Sequence, residues 1–357
     1  MWLRSPQGKM IVFDEMIGWE RMLEAWRLAA KGKRYKTDVL CFGQRWEEEL
    51  IELQHLLLWD EWRPRPMRRF TVHRPKTRLI EAPDFRDRIV HHLLSLACEP
   101  LFERRFVAHS FACRKGRGTH AARAHVVAML RQAQRRWGRV YVLQCDVRQF
   151  FPSIDHEMLL CRIGRVVQDE RVMQIWRRAI LRDDQATGLP IGALTSQMSG
   201  NVYLDPLDHW IKDDLGCPYY ARYMDDFLIL GPHKGRLQEL RTAIAQRLAN
   251  ADRLMLHPKS QVYPASQGVD FCGYRSWASH ALPRKRNLVA ARKRLRRLAQ
   301  RHAAGEIGPE RLEASLASFE GYTKHCDGAR TTASILAEVE ETLGQPLHQA
   351  LNRKEAA

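Results

Sequence analysis

The sequence predicts an α+β fold, and three observations carry that prediction. Apolar residues recur at helical spacing in several long stretches. Short runs rich in β-branched and aromatic residues, separated by turn residues, mark strands. Beyond Pro283 the chain becomes helical and densely basic.

The elements follow in order. Between residues 14 and 31, Met16, Trp19, Met22, Leu23, Trp26 and Leu28 fall on one helical stripe, and a second helix is expected over 45–58. It ends before Trp62, Pro64 and Pro66. Phe70 and Val72, then Leu79 and Ile80, flank His73-Arg74-Pro75-Lys76, a β-hairpin pattern with a basic tip. A helix over 85–101 would bury Ile89, Val90, Leu93, Leu94 and Leu96. Val140 to Cys145 form an apolar strand that ends in Asp146. Tyr219 to Leu230 read as two strands joined at Asp225-Asp226. From residue 284 to 297, Arg284, Lys285, Arg286, Arg292, Lys293, Arg294, Arg296 and Arg297 crowd one helical stretch. No internal repeat or low-complexity tract interrupts this order.

Composition narrows the function. The chain has 357 residues, of which 45% are hydrophobic and 28% charged. Lys and Arg number 58 against 41 acidic residues, a formal net charge of +17, which points to a polyanionic partner. Nucleic acid fits, with an anionic membrane surface as the competitor. No stretch approaches the roughly 20 apolar residues a spanning helix needs. Asp14, Glu15 and Glu20 interrupt the one apolar stretch a signal peptide could use. The cysteines (Cys41, Cys98, Cys113, Cys145, Cys161, Cys217, Cys272 and Cys326) form no CxxC pair, so reduced thiols in a cytosolic protein are expected, not a zinc ribbon.

Three adjacent acid pairs provide an internal comparison. Asp183-Asp184 and Asp213-Asp214 sit in polar surroundings and read as solvated charge. Asp225-Asp226 has apolar strand on both sides, where two carboxylates repel and lose hydration unless cations offset the cost. With Asp146 the pair makes an all-oxygen set suited to Mg²⁺. On spacing alone the alternatives are a two-metal site and a structural turn.

Tyr223-Met224-Asp225-Asp226 resembles the YxDD signature of reverse transcriptases, and Asp146 in its aromatic context resembles the first catalytic Asp of the same palm. Other blocks follow in the order that family has. Lys76-Thr77-Arg78-Leu79-Ile80, through Asp87-Arg88, resembles its triphosphate-binding fingers motif, and Ser110 to His120 the next fingers block. Gly188-Leu189-Pro190-Ile191-Gly192 with Ser196-Gln197 resembles the block between the carboxylate motifs. Lys259 falls where these enzymes keep a lysine, and Gly268 to Tyr274 resembles the primer-gripping hairpin. The variation over Leu189 to Gln197, with Ile191-Gly192 where many relatives carry Gln-Gly, is similar to the enzymes of diversity-generating retroelements.

The resemblance implies a right-hand polymerase: fingers mainly over 1–135 and 160–200, a palm of antiparallel sheet packed on helices mainly over 136–160 and 200–275, and an α-helical thumb over 276–357. It implies RNA-directed DNA synthesis with two Mg²⁺ ions, Mn²⁺ being possible, held by Asp146, Asp225 and Asp226, with Val147 grouped among the ligands. Lys76, Arg78, Arg88, Ile191, Gly192, Gln197 and Lys259 would contact the incoming dNTP, and Phe151 would crowd a ribose 2′-OH. Arg114, Lys115, Arg117, Tyr223, Met224, Gly273, Tyr274, Arg292 and Arg296 would contact the primer and template RNA or the RNA–DNA hybrid. Each has a plainer alternative: surface charge for the basic residues, core packing for Phe151 and Ile191. The subfamily further implies copying of a template-repeat RNA with errors opposite adenine, a small basic oligomeric accessory protein, and a cytoplasmic setting in a bacterium or phage. Retron-like or defence enzymes are the nearest alternatives, and a polymerase-like scaffold with little turnover is one of another class.

Overall fold

The structure, a computed structural model, describes residues 13–73, 77–181 and 185–351. Four helices come first: α1 (Phe13–Met16), α2 (Trp19–Ala30), α3 (Thr37–Gln44) and α4 (Trp46–Leu58). The hairpin strands β1 (Arg68–Val72) and β2 (Arg78–Ala82) follow, then α5 (Phe85–Glu103) and α6 (Thr119–Trp137). Next are β3 (Tyr141–Asp146), α7 (Phe150–Ser153), α8 (His156–Gly164), α9 (Glu170–Ile180) and α10 (Leu194–His209), which runs into a π-helical turn. The strands β4 (Tyr220–Tyr223) and β5 (Asp226–Gly231), helix α11 (Lys234–Asp252) and strand β6 (Gln261–Pro264) come after. The last elements are β7 (Val269–Phe271), β8 (Tyr274–Ser276), β9 (Ala281–Pro283), α12 (Lys285–Ala303), α13 (Pro309–Thr323), α14 (Ala329–Leu343) and α15 (Leu347–Ala350).

The strands form three sheets: β1-β2, the four-stranded order β4-β5-β3-β6, and β7-β8-β9. The registered pairs are antiparallel, with Phe70 opposite Ile80 in the first and Phe271 opposite Tyr274 in the third. Mixed helix and antiparallel sheet is the fold class the sequence predicts. Among the described residues no helix is long and apolar enough to cross a membrane, and the eight cysteines are free thiols.

The chain divides into two compact units. The first contains the described residues of Met1–Arg114, with Cys145–Phe227 and Leu240–Ser260. Three of its helices are started by side-chain caps that satisfy otherwise orphaned amides. Asp84 accepts from Arg86 N–H at 3.1 Å to begin α5, Asp155 from Met158 N–H at 2.9 Å to begin α8, and Asp169 from Arg171 N–H at 2.9 Å to begin α9. Helix α10 is buried on nearly every side, from Thr195 and Ser196 through Tyr203 to Asp208. Such a helix has no polar face and hence no amphipathic period, which is why its sequence pattern did not announce it.

The second unit contains Lys115–Gln144, Leu228–Glu239 and the described residues of Gln261–Ala357. Residues Tyr141 to Gln144 of β3 pair antiparallel with Pro264 to Gln261 of β6. Helices α12 to α15 close over their own core of Leu295, Leu298, Leu312, Leu316, Phe319, Ile335 and Val339. The basic side chains of α12 are excluded from that core: Arg286, Arg292, Lys293, Arg294, Arg296 and Arg297 are exposed.

Candidate active site

The three carboxylates sit at strand ends. Asp146 is the last residue of β3; Met224 and Asp225 form the two-residue turn between β4 and β5, and Asp226 begins β5. The residue before them, Met224, takes φ +58°, a left-handed conformation that a non-glycine residue adopts rarely. Main-chain bonds draw the two places together. Val147 N–H donates to the Asp225 carbonyl at 3.2 Å. A loop after α11 secures the other flank: His257 N–H donates to the Asp146 carbonyl at 2.7 Å, and Arg148 N–H to Met255 at 2.8 Å. The Ser260 hydroxyl accepts from Asp146 N–H at 3.2 Å. Asp146 is thus held on both main-chain groups while its side chain stays half-exposed.

Asp225 and Asp226 are half-exposed as well, although Tyr220, Ala221 and Phe227 beside them are buried. Among the described residues no hydrogen bond or ion pair engages the Asp146 carboxylate. The clustered negative charge is felt nearby: burial raises the Cys145 thiol pKa, the Asp226 carboxylate raises it further, and Asp146 adds to the effect against Arg241.

The donor set is all oxygen, as a hard divalent cation prefers. Among the described residues, however, no group of three or more His, Cys, Asp or Glu side chains is gathered closely enough to hold an ion. Asp146, Asp225 and Asp226 are therefore not gathered into a finished cage. That fits Mg²⁺, which binds through one or two carboxylates, keeps several waters and takes the rest of its oxygens from substrate phosphates. Val147 is buried, with its N–H directed to Asp225.

The residues expected around the nucleotide divide into groups. Phe150 is buried in α7 and Phe151 half-buried, with ring centroids 5.3 Å apart. The Phe151 carbonyl accepts from Leu189 N–H at 2.9 Å, and the Ile191 carbonyl accepts from Glu81 N–H of β2 at 3.0 Å. The 188–192 segment therefore links the Phe151 turn to the hairpin that carries Arg78. Ile191 is half-buried, and Arg78, Gly192, Gln197 and Lys259 are exposed. Lys259 lies in the loop that secures Asp146, its N–H donating to His257 Nδ1 at 3.1 Å. Arg74, Pro75 and Lys76 lie outside the described residues, as do Asp183 and Asp184. Arg88 is engaged inside the unit. It pairs with Asp38 at 2.7 Å, donates to the Pro83 carbonyl at 3.0 Å and covers the Phe85 ring.

Arg114 departs from the expectation of template contact. Its side chain is 4% exposed, and all three guanidinium nitrogens are bonded, to Glu103 and to the carbonyls of Val107 and Ser110. It braces the 103–110 turn that follows α5, because a buried guanidinium is stable only with its donors matched. Lys115 and Arg117 are exposed. In the second unit Gly273 has φ +89°, with its carbonyl bonded by the Tyr322 hydroxyl, and the Tyr274 ring is buried. Arg296 is exposed on α12, and Arg292 pairs with Glu338 at 3.0 Å. Asp213, from a control pair, is an exposed partner of His209.

Several contributors escaped the sequence reading. A Cβ on Gly200 of α10 would lie 3.1 Å from Met224 Sδ and 3.1 Å from the Phe150 ring, so this glycine makes room beneath the turn. His257 and Ser260 act through main-chain neighbours, which no local motif marks. Arg222, a charge inside an otherwise apolar strand run, was the one legible signal.

Residues 71–276, more than half of the chain, match the profile of the reverse transcriptase (RNA-dependent DNA polymerase) family. Protein YkfC of Escherichia coli K12 is 25% identical over 271 residues, covering 63% of this chain and 71% of YkfC. The group II intron-encoded protein LtrA of Lactococcus lactis is 24% identical over 177 residues, 46% of this chain but 28% of LtrA. Among solved structures, the telomerase of Candida albicans with a TWJ fragment of telomeric RNA overlaps 81% of this chain and 63% of its own at a TM-score of 0.47 and 11% identity. With the YxDD residues at a strand turn and the family profile spanning the segments that carry Asp146, Asp225 and Asp226, this chain belongs to the reverse transcriptase family and is an RNA-directed DNA polymerase.

Proposed function

We propose that this enzyme copies a template-repeat RNA into cDNA with frequent errors opposite adenine, and that the cDNA diversifies a target gene. The chemistry in this reading is supported above all by the bond between Val147 N–H and the Asp225 carbonyl, which sets the exit of β3 against the Asp225-Asp226 turn. Asp146, Asp225 and Asp226 would together hold the divalent cations, Mg²⁺ or alternatively Mn²⁺. Such ions supply activation of the primer hydroxyl and neutralise charge on the departing pyrophosphate. Lys76 and Arg78 would hold triphosphate oxygens by charge-assisted bonds, and Phe151 would exclude a ribose 2′-OH. Lys259 would give a proton to the pyrophosphate. Lys115, Arg117 and Arg296 would follow the backbone of an RNA–DNA hybrid, recognised by shape and phosphate.

The subfamily reading rests on Ile191. An apolar side chain at this position removes an amide that could report a mispaired base, and discrimination falls when no polar group is left unmatched. A small basic accessory protein and a cytoplasmic setting in a bacterium or phage belong to the same proposal. A second reading, cDNA synthesis in the service of a group II intron, is favoured by the likeness to the group II intron-encoded protein LtrA.

The test is primer extension on an adenine-containing RNA, with wild type, Asp225→Ala and Ile191→Gln compared and the products sequenced. Metal-dependent cDNA absent from Asp225→Ala, with errors at adenines that Ile191→Gln reduces, is the expected result. Faithful cDNA from the wild type would remove the diversification reading and leave the intron-type or retron-like ones. Full activity in Asp225→Ala would remove the carboxylate assignment.

A further inference from the structure

Beneath the Asp225-Asp226 turn lies a polar network with no access to solvent. Arg222 and Asp208 are both 0% exposed. The guanidinium meets the carboxylate with two parallel bonds, Nε to Oδ1 at 2.7 Å and Nη2 to Oδ2 at 2.6 Å. The remaining nitrogen, Nη1, donates to Asn201 Oδ1 at 3.1 Å and to the Met224 carbonyl at 3.0 Å. Asp208 also accepts from the Tyr220 hydroxyl, and Asn201 donates to the Ala112 carbonyl at 2.8 Å. The main chain of Arg222 is tied down too, its N–H to the His109 carbonyl and its carbonyl to Phe111 N–H, each at 2.9 Å.

One end of this network fixes a costly conformation. Met224 sits at φ +58°, a strained conformation for a non-glycine residue that persists only where its surroundings hold it. Its carbonyl belongs to the peptide that begins Asp225. Rotation of that peptide would swing Asp225 away from β3 and break the Val147 bond. The other end is anchored on α10, which contributes Asn201 and Asp208, and on the 109–112 segment.

We propose that Arg222 is a positioning residue for the reaction, clamping the Met224–Asp225 peptide so that both turn carboxylates face Asp146. The proposal deepens the reading of Asp146, Asp225 and Asp226 as metal-binding carboxylates and rests on it. A lysine at this position keeps a cation beside Asp208 but lacks the fork that reaches Met224 at the same time. The buried pair explains why the charge is tolerated; the third nitrogen explains what it does.

The experiment has one readout that does not depend on turnover. In metal-free full-length protein, Arg222→Lys should speed amide exchange at Met224 to Asp226 by about tenfold or more. In turnover assays it should lower kcat about tenfold, leave the dNTP KM within about threefold, and raise the Mg²⁺ midpoint. Tyr220→Phe removes a hydroxyl from the same Asp208 without touching Met224, and should leave exchange and kcat within about twofold. Unchanged exchange in a folded Arg222→Lys protein overturns the proposal, and so does an equal effect of Tyr220→Phe. Should Arg222→Lys not fold, Asp208→Asn, which loosens the guanidinium, carries the same test: faster exchange supports the clamp and unchanged exchange refutes it. Asp225→Ala, run alongside, separates the two ideas. If it stays active the carboxylate reading fails, while the exchange data still decide the Arg222–Met224 contact.

Discussion

Gly192→Ala puts the coupling between the 188–192 segment and the hairpin to a quantitative test. Gly192 has φ +135°, a region open essentially to glycine, and a Cβ there would stand 3.0 Å from the Glu81 carbonyl oxygen and 3.0 Å from Ile80 Cγ2. The backbone strain costs about 1–3 kcal/mol. The contact with a strand carbonyl adds about 1–2 kcal/mol, since main chain yields less readily than a side-chain tip. Reduced freedom of the unfolded chain returns about 0.4–1 kcal/mol. The net loss is about 1–5 kcal/mol, concentrated where Glu81 N–H meets the Ile191 carbonyl. Amide exchange at Glu81 reads that bond directly, and 2 kcal/mol corresponds to about a 30-fold increase in opening. The same substitution should raise the dNTP KM, because the segment that approaches the Phe151 turn is displaced. Exchange within about twofold of wild type, with an unchanged KM, would refute the coupling.

Two further outcomes are expected. Arg114→Ala should destabilise the protein by about 1–3 kcal/mol by leaving two carbonyls and the partly exposed Glu103 unbonded, and Arg114→Lys should not restore it. Thermal unfolding checks this, and a variant that is fully stable but binds template weakly would return Arg114 to the nucleic-acid interface. Asp205 has its pKa pushed up to about 6, by burial first and then by the neighbouring Asp208 charge. Because the folded pKa exceeds the unfolded one, the folded state holds the extra proton, and stability falls as pH rises from about 4 to about 6. Asp205→Asn should therefore stabilise the protein above pH 6 and change little below pH 4, as read from denaturation midpoints across that range. A constant offset at all pH values would argue against the buried carboxyl.

Much of the architecture was legible because local chemistry and tertiary role agreed. The hairpin around residues 68–82, the strand ending at Asp146 and the Asp225-Asp226 turn each carry their own period and turn residues. The expected helices over 45–58 and 85–101 appear as α4 and α5, whereas the one expected over 14–31 is broken at Ile17-Gly18 into α1, which holds Met16, and α2. The dense arginines after Pro283 lie on a helix whose apolar residues alone enter a core. Helix α10 was not legible, since full burial erases the contrast between faces.

The sequence by itself determined which residues carry charge and which segments are strand or amphipathic helix, because those follow from side-chain chemistry and spacing along one chain. It also distinguished Asp225-Asp226 from the other acid pairs by their apolar flanks. Only the tertiary structure decided how each charge is used. Arg114 and Arg88 resemble free anion-binding groups in sequence, yet Glu103 and Asp38, from elsewhere in the chain, hold them. Arg222 resembles a stray charge in a strand, yet Asp208, Asn201 and Met224 converge on its three nitrogens. An arginine's partner is set by distance in space, and no spacing along the chain records that.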